Sequence, residues 1–218
     1  MNAYARGLVA DLPFDLPELV ASRLAAALDA EHKLPRALEA LGPVSGRDVL
    51  LLGADGGIQA TRLTALGARL RCVPLPGPGG ITAEDGSADV LLALWDAFRD
   101  PDAAALAEAD RVLRPGGRLL VVHDYGRDDV AGLRGDDAPE YASWSRRDGP
   151  FLRGGTFRIR VLHCFWTFGS VEDAKAFLEE GFGDAGLAVA EDLRRARLSW
   201  NVAVYHRWRG GVAPEEAA

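Results

Sequence analysis

Four short strand-like runs, three of them unbroken apolar, constrain this chain more than anything else in it. Asp48-Val49-Leu50-Leu51-Leu52 is stopped by Gly53, and Leu70-Arg71-Cys72-Val73 follows. Val90-Leu91-Leu92-Ala93-Leu94 and Leu119-Leu120-Val121-Val122 complete the set. A strand with one wet face alternates apolar and polar residues. An unbroken apolar run needs cover on both faces, as in a parallel sheet between helices. The intervening stretches supply those helices. Ile58–Leu66 has helical spacing with Gly67 as a stop, and Ala103–Val112 reads as an amphipathic helix. Arg114-Pro115-Gly116-Gly117 reads as a tight turn. Strands alternating with helices predict an α/β fold with a parallel sheet and right-handed crossovers.

The two ends read differently. Residues 1–46 are predicted helical, as a lid or a homodimer interface. Asp15 caps a helix with Pro17 in its first turn and Leu19, Val20, Leu24 and Leu28 on one face. A second helix covers Leu34–Leu41 and ends at Gly42-Pro43. The α/β domain spans 47–209. Its last third holds an aromatic-rich strand, Phe157–Phe168, and a helix opened by Ser170-Val171-Glu172-Asp173. The final strand is Trp200–Trp208, and residues 210–218 form an acidic tail expected to be disordered.

Composition excludes several classes. With 48% apolar residues the chain is too apolar to be disordered. Its apolar runs are too short to span a membrane. The first residues match neither a secretory signal nor a transit peptide, so a cytoplasmic location is expected. Cys72 and Cys164 make neither a disulfide framework nor a metal-ligand spacing, and His32, His163 and His206 add no ligand pattern. No metal is expected. A net charge of −7 disfavours nonspecific nucleic-acid binding. The last third is nevertheless arginine-rich, at Arg146, Arg147, Arg153, Arg158 and Arg160 and then at Arg194, Arg195, Arg197, Arg207 and Arg209. If the last two strands are neighbours, these arginines form one basic patch.

Three stretches, in this order, resemble the class I S-adenosylmethionine-dependent methyltransferases, particularly the small-molecule type called type 11. They are Val49–Gly57, Glu84–Trp95 and Glu108–Val122, the last being the most specific. The resemblance implies a three-layer Rossmann-like sheet. It also implies S-adenosylmethionine as cofactor and methyl transfer to a small-molecule acceptor. On that basis Gly53, Ala54, Asp55, Gly57, Pro74, Leu75 and Trp95 line the cofactor, with Asp85 and Gly86 by adenine. His123, Asp124 and Tyr125 face the acceptor, a histidine there being suited to act as general base.

The sequence departs from the family at defined points. The middle glycine of the Gly-rich turn is Asp55, and the ribose-binding acid at the end of the second strand falls on Pro74, which offers no acceptor side chain. Asp55 has two readings, a ligand contact or an N-cap for the following helix. Only 13 residues separate Leu75 from Asp89, and six are Gly or Pro. A parallel crossover alone takes about a dozen residues. The family's third strand and its preceding helix are therefore expected to be missing or vestigial. The alternative to a methyltransferase is a degenerate relative that no longer binds the cofactor and serves as an interaction or ligand-binding module.

Overall fold

The structure is a computed structural model. It describes residues 11–53, 56–77, 80–95, 98–99, 101–211 and 213, with backbone alone at 136–139. Six strands form one sheet: β1 (Asp48–Leu52), β2 (Arg69–Val73), β3 (Ala88–Leu94), β4 (Leu113–Asp124), β5 (Arg158–Thr167) and β6 (Arg197–Trp208). Their order is β2-β1-β3-β4-β6-β5. The first four in that order are parallel, and β6 runs antiparallel to both its neighbours.

The apolar runs of β1, β3 and β4 are covered on both faces. Val49, Leu51, Leu92, Leu120 and Val204 point into one core with the helices α1 (Glu18–Ala27), α2 (Lys33–Leu41), α3 (Ile58–Ala65) and α6 (Val171–Asp192). Leu50, Leu52, Leu91, Val121 and Tyr205 point into the other, with α4 (Ala103–Val112) and α5 (Ala138–Trp144). Burying each such side chain stabilises the fold by about 1.5–3 kcal/mol. Ser170 caps α6 by accepting from the Asp173 N–H. Asp29 caps α2 through the N–H groups of Lys33 and Leu34.

The shortened edge is as the spacing predicts. Among the described residues of 74–87 there is no helix or strand, only an isolated bridge between Gly77 and Gly80. β2 is therefore the sheet edge. The crossover is pinned to α4 instead. Arg111 donates to the carbonyls of Ile81 and Ala83 and to Asp85, while Glu108 accepts from the Ile81 N–H at 3.0 Å. The bond from Arg111 holds the Glu108 carboxyl down at about 2. Where the other strands show leucine to this face, β2 shows Arg69 and Arg71, in register with Asp48 and Leu50. Arg69 and Arg114 both bind Asp48 at 2.7 Å. A polar network thus covers a surface that a helix would need to be apolar to cover.

Several expectations change. α1 begins at Glu18 with Pro17, not Asp15, at its cap position, and a proline side chain accepts no cap hydrogen bond. Leu19 is 79% exposed and does not share the buried face of Val20 and Leu24. The Arg114–Gly117 turn lies inside β4. Ala88 pairs with Leu113 and Val90 with Arg118, so the extra residues bulge out of the ladder. Gly210 and Gly211, assigned above to a disordered tail, belong to a short 3-10 turn, Arg209–Gly211. Among the described residues no helix is long and apolar enough to cross a membrane.

Candidate functional site

Open α/β sheets bind ligands outside the carboxyl ends of their parallel strands. Four strand ends meet there: Gly53 after β1, Pro74 after β2, Trp95 after β3 and Asp124 closing β4.

At β1 the chain turns sharply. Gly53 has φ of +79° and donates to the Val73 carbonyl at 2.8 Å. A Cβ on it would lie 2.7 Å from Leu75 Cδ2, so the leucine rests on the glycine backbone. Ala54 and Asp55 lie outside the described residues. The N-terminus of α3 is capped by Asp11. Its carboxylate accepts from the N–H groups of Ile58 at 3.1 Å, Gln59 at 2.6 Å and Ala60 at 3.0 Å. The first turn of a helix has free donors and a positive dipole end, which attract an anion. Gly57, with φ of +122°, makes room: a Cβ there would sit 2.3 Å from the Asp11 carboxylate. Asp11 is wholly buried. Burial pushes its carboxyl above the ordinary value, outweighing the pull of its three backbone bonds.

The other end of the cleft is held by a buried ion pair. Asp124 accepts from Trp200 Nε1 at 3.0 Å, Trp95 Nε1 at 3.4 Å and Arg134 Nε at 2.6 Å. The side chains of Arg134 and Asp124 are 6% and 5% exposed. Arg134 also donates to the Pro13 carbonyl at 2.6 Å and lies 3.7 Å over the Phe14 ring. Phe14 packs edge-on against Trp166 and Phe182. Residues 11–14 therefore lie across the carboxyl edge of the sheet, Asp11 bound to α3 and Pro13 and Phe14 bound over β4.

The proposed acceptor-facing trio is separated. Adjacent strand residues point to opposite faces. His123 thus leaves Asp124 and enters an aromatic box of Tyr141, Trp144, Phe151 and Tyr205. It is wholly buried, with Nε2 3.4 Å from the Phe98 carbonyl and Nδ1 without a partner among the described residues. Burial pushes its pKa down to about 3, so the ring is neutral at pH 7. Tyr125 is half-buried, and its hydroxyl accepts from Arg127 at 3.5 Å.

Pro74 and Leu75 are exposed beside Gly53, and Trp95 stacks on Trp200 with ring centroids 6.1 Å apart. Asp85 and Gly86 do not join them. They precede β3, whose seven residues put them about 20 Å from Trp95, at the opposite edge. Asp85 is instead an exposed partner of Arg111 at 2.6 Å.

The arginines do not form one patch. β5 and β6 are antiparallel, with Arg158 opposite His206 and Arg197 opposite Thr167. The two groups sit at opposite ends of a ten-residue strand, about 30 Å apart. Arg207 turns to the other face and pairs with Asp110 at 2.6 Å. A cleft of about 500 Å³ between α6 and residues 129–132 mixes Arg194, Arg195 and Arg197 with Asp129 and Asp192. Among the described residues no three His, Cys, Asp or Glu side chains are grouped as metal ligands.

The fold has counterparts among solved structures. A proposed type II methyltransferase from Anaeromyxobacter dehalogenans is 17% identical, with a TM-score of 0.51, over 83% of this chain and 96% of its own. A proposed methyltransferase from Bacillus halodurans is 16% identical, with a TM-score of 0.46, over 81% of this chain and 98% of its own. A proposed sarcosine dimethylglycine methyltransferase from Galdieria sulphuraria is 14% identical, with a TM-score of 0.44, over 79% and 82%. Only the first is near enough to support a common fold. No family model matches the sequence, and no curated protein matches it. The chain has the class I methyltransferase fold.

Proposed function

We propose, starting from that fold, that this chain is a non-catalytic relative of the S-adenosylmethionine-dependent methyltransferases, serving as an interaction or small-ligand module. The observation that carries the reading is Asp11. Its carboxylate occupies the helix N-terminus that would otherwise receive the carboxylate of the cofactor. Two like charges at about 4 Å in a partly screened site repel by about 4 kcal/mol. That corresponds to roughly a thousandfold weaker binding.

Other residues point the same way. β2 is followed by Pro74, which cannot accept from ribose hydroxyls, and Leu75 lies on Gly53 where a ligand would approach the backbone. The residues present do not fit S-adenosylmethionine in this arrangement, and no methyl-transfer step is derived from them.

The rival reading, methyl transfer to a small-molecule acceptor, is favoured by the surviving turn at Gly53 and Gly57. It requires residues 11–14 to lift away. Calorimetric titration with S-adenosylhomocysteine and S-adenosylmethionine separates the two. The proposal expects no saturable binding by the wild-type chain at millimolar ligand. Micromolar binding by the wild-type chain refutes it. Micromolar binding only after Asp11→Ala identifies a closed but otherwise intact cofactor cleft.

A further inference from the structure

We propose that the opposite edge of the sheet, where the parallel strands begin, carries a phosphate-type anion site built from Arg118, Arg158 and His206 beside Trp208. The site is independent of the cofactor cleft, a strand length away.

The sheet register places these residues together. Arg118 on β4 pairs with Trp208 on β6, and His206 on β6 pairs with Arg158 on β5. Residues directly opposite share a face, and so do residues two apart on one strand. All four side chains therefore stand on one face across three neighbouring strands. The Arg118 guanidinium lies 3.5 Å over the Trp208 ring, which fixes its plane. Gly42 keeps its stem close, since a Cβ there would be 3.2 Å from Arg118 Cδ.

Several arginines elsewhere in the fold are neutralised. Arg111, Arg114, Arg134 and Arg207 are each paired with a carboxylate. None of the described ion pairs includes Arg118 or Arg158. Arg118 Nε is buried without a hydrogen-bond partner. The charges felt by His206 are those of Arg118 and Arg158, and the charge felt by Arg118 is that of Arg158. Burial first, and then these charges, lower the pKa of both groups. Asp89 shares with Arg118 and Trp208 the wall of an adjoining cleft of about 340 Å³. Its carboxylate is already engaged, by Arg114 at 3.0 Å and the Asp48 N–H at 2.9 Å.

Two guanidinium cations and the His206 imidazole thus converge without a paired carboxylate among the described residues. The guanidinium fork matches two oxygens of a phosphate, and the imidazole, on taking up a proton as the anion binds, adds a third charge-assisted donor. A multiply charged phosphate, as in a phosphate monoester or a pyrophosphate, supplies the missing negative charge.

The test is calorimetric titration of the full chain with sodium pyrophosphate at low salt. One saturable site of submillimolar affinity is expected. Arg118→Gln and Arg158→Gln should each weaken it about tenfold or more, while Arg195→Gln, at the other end of β6, should leave it unchanged. Arg158 is exposed, so its variant tests the site even if Arg118→Gln disturbs packing on Trp208. Absence of saturable binding by the wild-type chain overturns the proposal, as does wild-type affinity retained in both Arg118→Gln and Arg158→Gln. Binding of single-stranded DNA without binding of pyrophosphate also overturns it, since the surface would then be a nucleic-acid interface.

Discussion

Replacing Asp11 by alanine removes an acceptor from three backbone N–H groups, at 2.6–3.1 Å, under a wholly buried side chain. Loss of a helix cap alone costs about 0.5–2 kcal/mol. Each buried donor left unpaired adds about 1–3 kcal/mol unless water reaches it. Against this stands the burial of the carboxylate, which raises its pKa and shows that ionisation inside the protein is itself costly. The balance is a net loss of about 2 kcal/mol, or roughly 4–8 °C in Tm for a chain of this size. Asp11→Asn keeps one acceptor oxygen and should fall between wild type and alanine. The sign of the pH effect follows from the raised pKa. The carboxyl binds its proton more readily folded than unfolded, so its contribution is fullest below the ordinary value of 3.8 and declines as pH rises through the folded value. The gap between wild type and Asp11→Ala should therefore widen on acidification. Urea unfolding at neutral and mildly acid pH reads both effects. An alanine variant within about 0.5 kcal/mol of wild type at every pH would refute the placement of Asp11 on α3.

Arg134→Met strands Asp124, whose side chain is 5% exposed, and should cost about 3–5 kcal/mol by chemical denaturation; under about 1 kcal/mol would mean the pair is solvated. His123 is neutral when buried, with its pKa at about 3, so its contribution is complete above the unfolded value of 6.5 and is lost as pH falls towards 3. His123→Phe should remove a slope of up to about 1.4 kcal/mol per pH unit, and an unchanged slope in urea unfolding between those limits would count against the aromatic box. Arg111→Ala releases the carbonyls of Ile81 and Ala83, so amide exchange should accelerate across 81–87 while the central strands stay protected. Uniform exchange in wild type and variant would show that the crossover is held by something other than α4.

Much of the fold was legible because its signals are local. β1 covers Asp48–Leu52 and α4 covers Ala103–Val112, the same spans that apolar pattern and helical period predict. The missing third strand followed from six Gly and Pro among the 13 residues between Leu75 and Asp89, since such a stretch cannot supply a crossover helix. Residues 129–144 carry no clear period, and their 3-10 segment and α5 went unassigned because neighbouring elements, not local preference, hold them. The site was less legible. The cap of α3 comes from Asp11, 47 residues before Ile58, and no spacing rule joins two such positions. His123 and Asp124 were grouped as neighbours in sequence, yet strand geometry sends them into different cores. Asp85 and Gly86 were grouped with the cofactor residues although the direction of β3 carries them to the far edge.

By itself the sequence determined the layers, the alternation of strands and helices as far as β4, and the loss of one strand, because apolar period and turn chemistry act between residues a few positions apart. The tertiary structure decided what fills the carboxyl edge of the sheet and which charges are left unpaired at the other. Those outcomes depend on long-range burial, where one carboxylate reaching a helix end, or one guanidinium lacking a partner, outweighs any local preference.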